Sequence, residues 1–209
     1  MAALLLPGQW VRVRSRDGIA RGLIEYKSEH GMSVNYLITG PPRSGKTTVI
    51  QNVVDRLDSK GYQAGGIYCP EVRSDGDRVG FEVMDVMTGE SQVLAHVDYD
   101  EGPQVGKYRV NRANVDSVCA AAFPRAFDEA DLLIVDEIAP MEVYSDEFRR
   151  QVRRALDGDL PLIAAIHYHA TEGFIGEVKN RDDTETREVT EDIRDVLPAT
   201  LTDALLADL

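Results

Sequence analysis

The octapeptide Gly40-Pro41-Pro42-Arg43-Ser44-Gly45-Lys46-Thr47 constrains this chain more than any other stretch. It satisfies the pattern GxxxxGK[ST], with an apolar run, Val34 to Thr39, before it and an amphipathic run, Thr47 to Lys60, after it. A strand before and a helix after is the context the pattern requires. Such a loop wraps a phosphate chain in successive backbone N–H groups; glycines let the backbone close in, and the helix N-terminus adds the positive end of its dipole. The candidate nucleotide-binding set is therefore Gly40, Pro41, Pro42, Arg43, Ser44, Gly45, Lys46, Thr47 and Thr48. Lys46 is placed to bridge the β and γ phosphates, and the Thr47 hydroxyl to ligate the Mg²⁺ that neutralises them. Arg43 takes a variable, solvent-facing position.

A second signal follows 90 residues after Lys46: Leu132-Leu133-Ile134-Val135-Asp136-Glu137, an apolar strand ending in two acids. This reads as a Walker B segment. Asp136 is the candidate metal residue, holding Mg²⁺ through water, and Glu137 is the candidate general base that takes a proton from an attacking water. Tandem acids point to hydrolysis. Two other readings keep the same phosphate site: a small-molecule or nucleotide kinase with an acceptor hydroxyl in place of water, and a nucleotide-dependent, nucleic-acid-associated switch.

Around these motifs, short apolar runs alternate with helical patterns. Val34 to Thr39, Gly65 to Tyr68, Leu132 to Asp136 and Leu162 to Ile166 read as buried parallel strands, which predicts an α/β fold. Between the second and third, Arg78 to Met87 and Ser91 to Val97 flank Thr88-Gly89 and predict an inserted antiparallel hairpin. Asn111 to Ala130 reads as a helix, a second helix capped by Ser145 runs to about Asp157, and Thr190 with Glu191 predicts another short one. At 209 residues the chain has room for one to two domains. Composition shifts at about Met32. Arg12, Arg14, Arg16, Arg21 and Lys27 outweigh Asp17, Glu25 and Glu29 in residues 1–31, a net of +2, while residues 32–209 carry −15. Asp17-Gly18 flanked by apolar runs reads as a small β-hairpin extension over residues 10 to 26; the alternative is that Met32 is the true start. The P-loop domain is residues 32–209.

Charge narrows the function classes. A net −13 argues against a chain whose main work is gripping a nucleic-acid backbone. The acids comprise 21 Asp and 15 Glu, the bases 18 Arg and 5 Lys, a bias we read as that of a halophile's protein, which needs salt screening to stay compact. Cys69 and Cys119, 50 residues apart without a CxxC, read as buried thiols. No apolar stretch is long enough to span a bilayer, so the expected compartment is the cytoplasm.

Taken together, these residues resemble the P-loop nucleoside-triphosphatases of archaea and bacteria related to the vertebrate cancer-related nucleoside-triphosphatase. The resemblance runs through LITGPPRSGKTT (37–48), GGIYCPEVRSDGDRVGFEVMDVMTGE (65–90), LAHV (94–97), VGKYRVN (105–111), DLLIVDEIAPMEVYSDEF (131–148), AAIH (164–167) and EVTEDIRDVLP (188–198). It implies slow, Mg²⁺-dependent removal of the γ-phosphate from ATP, GTP, CTP and UTP on a RecA-like sheet. Two departures stand out: Ala139 and Arg43 occupy positions where the family usually carries Gly.

A cation stabilising the transferring phosphoryl group is sought among several residues. Arg181 is the candidate catalytic arginine, because small phosphotransferases carry a mobile lid between strands corresponding to Ile166 and Glu185; Lys179 shares that segment. Arg73, Arg78 and Lys107 are alternatives in stretches that resemble the family, each otherwise a solvated charge. Arg149, Arg150, Arg153 and Arg154 read as a solvated helix face. His167 and His169 are too few for a metal site, and His167 reads as a polar group beside the phosphates or as packing. Phe81 and Tyr108 read as packing residues of the hairpin.

Overall fold

The computed structural model describes residues 35–209. The expected hairpin of residues 10 to 26 and the first strand's start at Val34 lie outside the described residues. Strands and helices follow in the order β1 Asn35–Thr39, α1 Lys46–Asp58, β2 Ala64–Tyr68, β3 Glu71–Ser74, β4 Asp77–Asp85, β5 Ser91–His96, β6 Gln104–Val105, β7 Tyr108–Val110, α2 Arg112–Glu129, β8 Leu132–Ile138, α3 Asp146–Leu156, β9 Leu162–Ile166, α4 Gly173–Lys179, β10 Thr184–Glu188 and α5 Leu197–Asp208. Among them no helix is long and apolar enough to cross a membrane.

One sheet runs β10-β1-β9-β8-β2-β4-β5-β7-β6, with β3 on the side of β4. Its first five strands are parallel. From β2 onward pairing is antiparallel, so the expected hairpin is the β4–β5 pair at the heart of a larger wing. β9 separates β1 from β8, with Ile163 opposite Tyr36 on one side and Ile134 on the other. This is the RecA-like order that the resemblance implied.

The period of two along the parallel strands explains the layers. Leu133 and Val135 of β8 point into a core shared with Phe123 of α2, Phe148 of α3 and Phe174 of α4. Leu132 and Ile134 point the other way, toward Val49 and Val53 of α1 and Leu201 and Leu205 of α5. Full burial of side chains such as Phe123 and Phe148 contributes about 1.5–3 kcal/mol each. The expected Ser145 cap forms, its Oγ accepting from the Phe148 N–H at 2.9 Å, and the structure adds a cap on α2, where the Asn111 side chain accepts from the Asn114 N–H at 3.1 Å.

Two expectations are corrected. Residues 191–196 form turns, with Arg194 N–H donating to Thr190 O at 3.0 Å, and the regular helix begins only at Leu197. Pro198 explains the position: it lacks an N–H and tolerates only the first turn. The stretch between Ile166 and Glu185 is not a lid. It contains α4, which buries Phe174, Ile175 and Val178 in the core.

Candidate active site

The site forms where β1, β9 and β8 end together. Thr39 at the end of β1 donates from Oγ1 to Ile166 O of β9 at 3.2 Å and accepts from the Val189 N–H at 2.7 Å. Gly40 then turns the chain at φ 153°, where a Cβ would stand 2.7 Å from Ser44 Oγ and 3.0 Å from Val189 O. The Ser44 N–H closes the loop on Pro41 O at 3.1 Å, and Gly45, at φ 101°, opens α1. Arg43 is exposed at φ 68°. A left-handed conformation costs a non-glycine residue roughly 1–2 kcal/mol, which fits the glycine of the family pattern at that position. Ser44 Oγ is buried without a partner among the described residues.

The two motifs meet across β9. Lys46 Nζ donates to Gly40 O at 3.2 Å and lies 3.8 Å from Glu137 Oε1. Thr47 Oγ1 donates to Asp136 Oδ2 at 2.9 Å. Asp136 is 3% exposed, and burial, with Glu137 beside it, pushes its carboxyl up to about 7 against the pull of Thr47 and Lys46. Burial also raises Glu137, opposed by Lys46. A hydroxyl and a carboxylate converging in this way are hard oxygen donors of the kind Mg²⁺ takes, and a divalent cation offsets the burial that raises Asp136.

A family model described as NTPase matches residues 35–202. The chain belongs to that NTPase family. It is 42% identical over 168 residues to nucleoside-triphosphatase THEP1 of Thermofilum pendens, covering 80% of this chain and 92% of that one. Against the THEP1 of Methanothermobacter thermautotrophicus the identity is 43% over 159 residues, 76% of this chain and 88% of that one. Among solved structures, the crystal structure of THEP1 from Aquifex aeolicus superposes with a TM-score of 0.73 at 29% identity, covering 82% of this chain and 98% of that one. The solution structure of a human cancer-related nucleoside triphosphatase gives 0.70 at 28% identity, covering 83% and 98%. The family resemblance drawn from the sequence is thus borne out.

Within this NTPase, the cations proposed for the transferring phosphoryl group each have other partners. Arg181 binds Asp183 at 2.6 Å, Asp157 at 2.8 Å and Leu156 O at 3.4 Å. That cluster surrounds Asn35, whose side chain donates to Leu156 O at 3.1 Å. Asn35 begins β1, whereas the phosphate loop leaves its end, four strand steps or roughly 13 Å away. The structure therefore does not bring Arg181 to the junction of Lys46, Thr47, Asp136 and Glu137; α4 carries the chain from one end of the sheet to the other before Arg181 is reached. Arg73 and Arg78 are paired with Glu71, and Arg78 also donates to Tyr108 Oη at 3.0 Å. Lys107 lies over the Tyr108 ring. Lys179 secures the segment after β9, donating to Tyr168 O at 3.0 Å and Ala170 O at 2.8 Å.

One further carboxyl group lies close to Glu137 and Asp136. Glu142, in a single 3-10 turn after β8, is 5% exposed, and its Oε2 has no partner among the described residues. Burial pushes it up to about 8, with Glu137 and Asp136 adding to the rise while the N–H groups of Glu142 and Ala139 oppose it. Its position in the stretch DEIAPME was visible; its burial was not, because a charged residue after a strand ordinarily faces water.

Proposed function

We propose that this chain hydrolyses nucleoside triphosphates, ATP, GTP, CTP and UTP alike, to the diphosphate and inorganic phosphate, with Mg²⁺ held by Thr47 and Asp136. The observation that carries this reading is the junction of the two motifs: Thr47 Oγ1 at 2.9 Å from Asp136 Oδ2, and Lys46 Nζ at 3.8 Å from Glu137 Oε1. The names of the relatives, nucleoside-triphosphatases, support it.

The residues divide the work. Loop N–H groups between Arg43 and Thr48 and the Lys46 ammonium bind the phosphate chain and stabilise charge on its oxygens, while Pro41 and Pro42, without an N–H, shape the loop. Thr47 and Asp136 would hold Mg²⁺, which would supply neutralisation of phosphate charge. Glu137, raised by burial, is a stronger base than an exposed glutamate and takes the proton of the attacking water. Every contact in this scheme is with phosphate, which all four nucleotides share, so the scheme carries no base selectivity. The test is phosphate release from each nucleotide in molar KCl without an acceptor, with Mg²⁺ and then with excess chelator. Slow release from all four, abolished by chelation, is expected. Bound nucleotide with no phosphate released overturns hydrolysis and directs the search to an acceptor hydroxyl.

A further inference from the structure

Glu142 takes no part in the chemistry above, yet the chain after β8 folds back to bury it. The Val143 N–H donates to Ala139 O at 3.2 Å and the Ser145 N–H to Glu142 O at 3.0 Å, closing the turn that follows the two acids. Glu142 is 5% exposed, and its Oε2 has no hydrogen-bond partner among the described residues. A buried carboxyl oxygen that no protein donor reaches is satisfied when it carries the proton itself and donates it.

The surroundings decide where that proton resides. Glu142 interacts with Glu137 and Asp136 of β8, with Cys69 after β2 and with Cys119 of α2. Asp116 of α2 and Glu147 of α3 face the same interior, but Asp116 accepts from the Ser145 hydroxyl and Glu147 is paired with Arg150. Neighbouring buried carboxyls resist ionising together. Lys46, 3.8 Å from Glu137 Oε1, favours the charge on Glu137. The proton therefore stays on Glu142, which burial and the two β8 acids push up to about 8; of these acids Glu137 acts on it the more strongly. Burial raises both thiols, so neither ionises in that range.

We infer that Glu142 is a positioning residue for hydrolysis, whose Oε2–H donates to the Glu137 carboxylate, directly or through one buried water, and so holds the base against the attacking water. The inference rests on the hydrolytic reading above, and Glu142 acts only through Glu137. With one carboxylate oxygen fixed by a charge-assisted bond, the other is left to take the proton of the water. Glu142 keeps its own proton throughout.

Two variants and a pH profile separate this role from a structural one. Glu142→Gln places an N–H donor where Oε2 stands and does not ionise; Glu142→Met fills the space without a donor. Phosphate release and ADP affinity are measured for each, and for wild type, from about pH 6 to about pH 9.5 in molar KCl with Mg²⁺. Ionisation leaves Glu142 every acceptor and removes only its donor. Wild-type kcat should therefore fall above about pH 8, whereas the Gln variant, within about fivefold of wild type at neutral pH, should show no such fall. Glu142→Met should lower kcat by about 10²-fold with ADP affinity unchanged. Added to Glu137→Gln, it should change the residual rate less than about twofold, because the base it positions is already gone. An alkaline fall that wild type lacks or that Gln shares overturns the inference, as does wild-type kcat in the Met variant or full additivity with Glu137→Gln. The pH contrast between Gln and wild type stays readable if the Met variant fails to fold. Wild-type protein that binds ADP but releases no phosphate from any triphosphate at any pH defeats the hydrolytic reading itself, and this inference with it.

Discussion

The two ends of the parallel sheet are built on opposite principles. At the end where β1 and β10 begin, Arg181 is matched to Asp183 and Asp157, and that pairing holds the Asp183 carboxyl below its ordinary range. At the other end, buried polar groups are left wanting. Among the described residues Ser44 Oγ and Glu142 Oε2 have no partner, and burial raises Asp136, Glu137 and Glu142 together. An unsatisfied buried polar group costs about 1–3 kcal/mol. A fold that satisfies one end and leaves the other open stores its binding capacity at the open end, where phosphate and a divalent cation would complete it. An Arg at the satisfied end is a fastener, whatever its place in the sequence.

The contrast can be broken in graded steps. The largest effect is expected from Lys46→Ala, which removes the cation at the open end: phosphate release should fall by about 10³-fold with the melting temperature nearly unchanged. Next comes pH. Because the folded pKa values of Asp136 and Glu142 lie above those of the unfolded chain, unliganded stability should decline as pH rises from about 4 toward 8. Glu142→Gln should remove about 1.4 kcal/mol per pH unit of that slope, read from denaturant titrations at several pH values.

Arg181→Ala tests the satisfied end. It should lower stability by about 2 kcal/mol above the ordinary aspartate pKa of about 3.9. Because pairing depresses the folded Asp183 pKa, that difference should shrink as pH falls through the acid range below it. Phosphate release should be unchanged, and a large loss of kcat would restore Arg181 to the site. The smallest effect is expected from Arg43→Gly: relief of the left-handed conformation should raise stability by about 1 kcal/mol while nucleotide affinity holds, since the loop binds through backbone amides.

What was legible in the sequence was what local pattern encodes. The Gly40–Thr47 loop announced itself by glycine spacing between a strand and a helix, and the acidic strand by an apolar run ending at Asp136 and Glu137. Both lie in the structure where strand ends bring them together, with Thr47 on Asp136. The helix capped by Ser145 was equally readable, because a cap is a contact between residues three apart. Other features needed the third dimension. Arg181 lies only fifteen residues beyond Ile166, and no pattern told that the seven-residue α4 would move it to the far end of the sheet. The strands β6 and β7, of two and three residues, are too short for periodicity. The His167 N–H bond to Ile138 O depends on β9 entering between β1 and β8, a pairing among distant segments.

The claim that the open end is a hydrolytic site rests most directly on Glu137, which lies on β8, outside the Gly40–Thr47 loop. Glu137→Gln keeps the side chain's size and removes its capacity as a base. In a single-turnover experiment with Mg²⁺ in molar KCl, the variant should bind ATP as wild type does and release phosphate at least about 10²-fold more slowly. Phosphate release at the wild-type rate, from nucleotide bound equally well, would contradict the account and place the base on another residue.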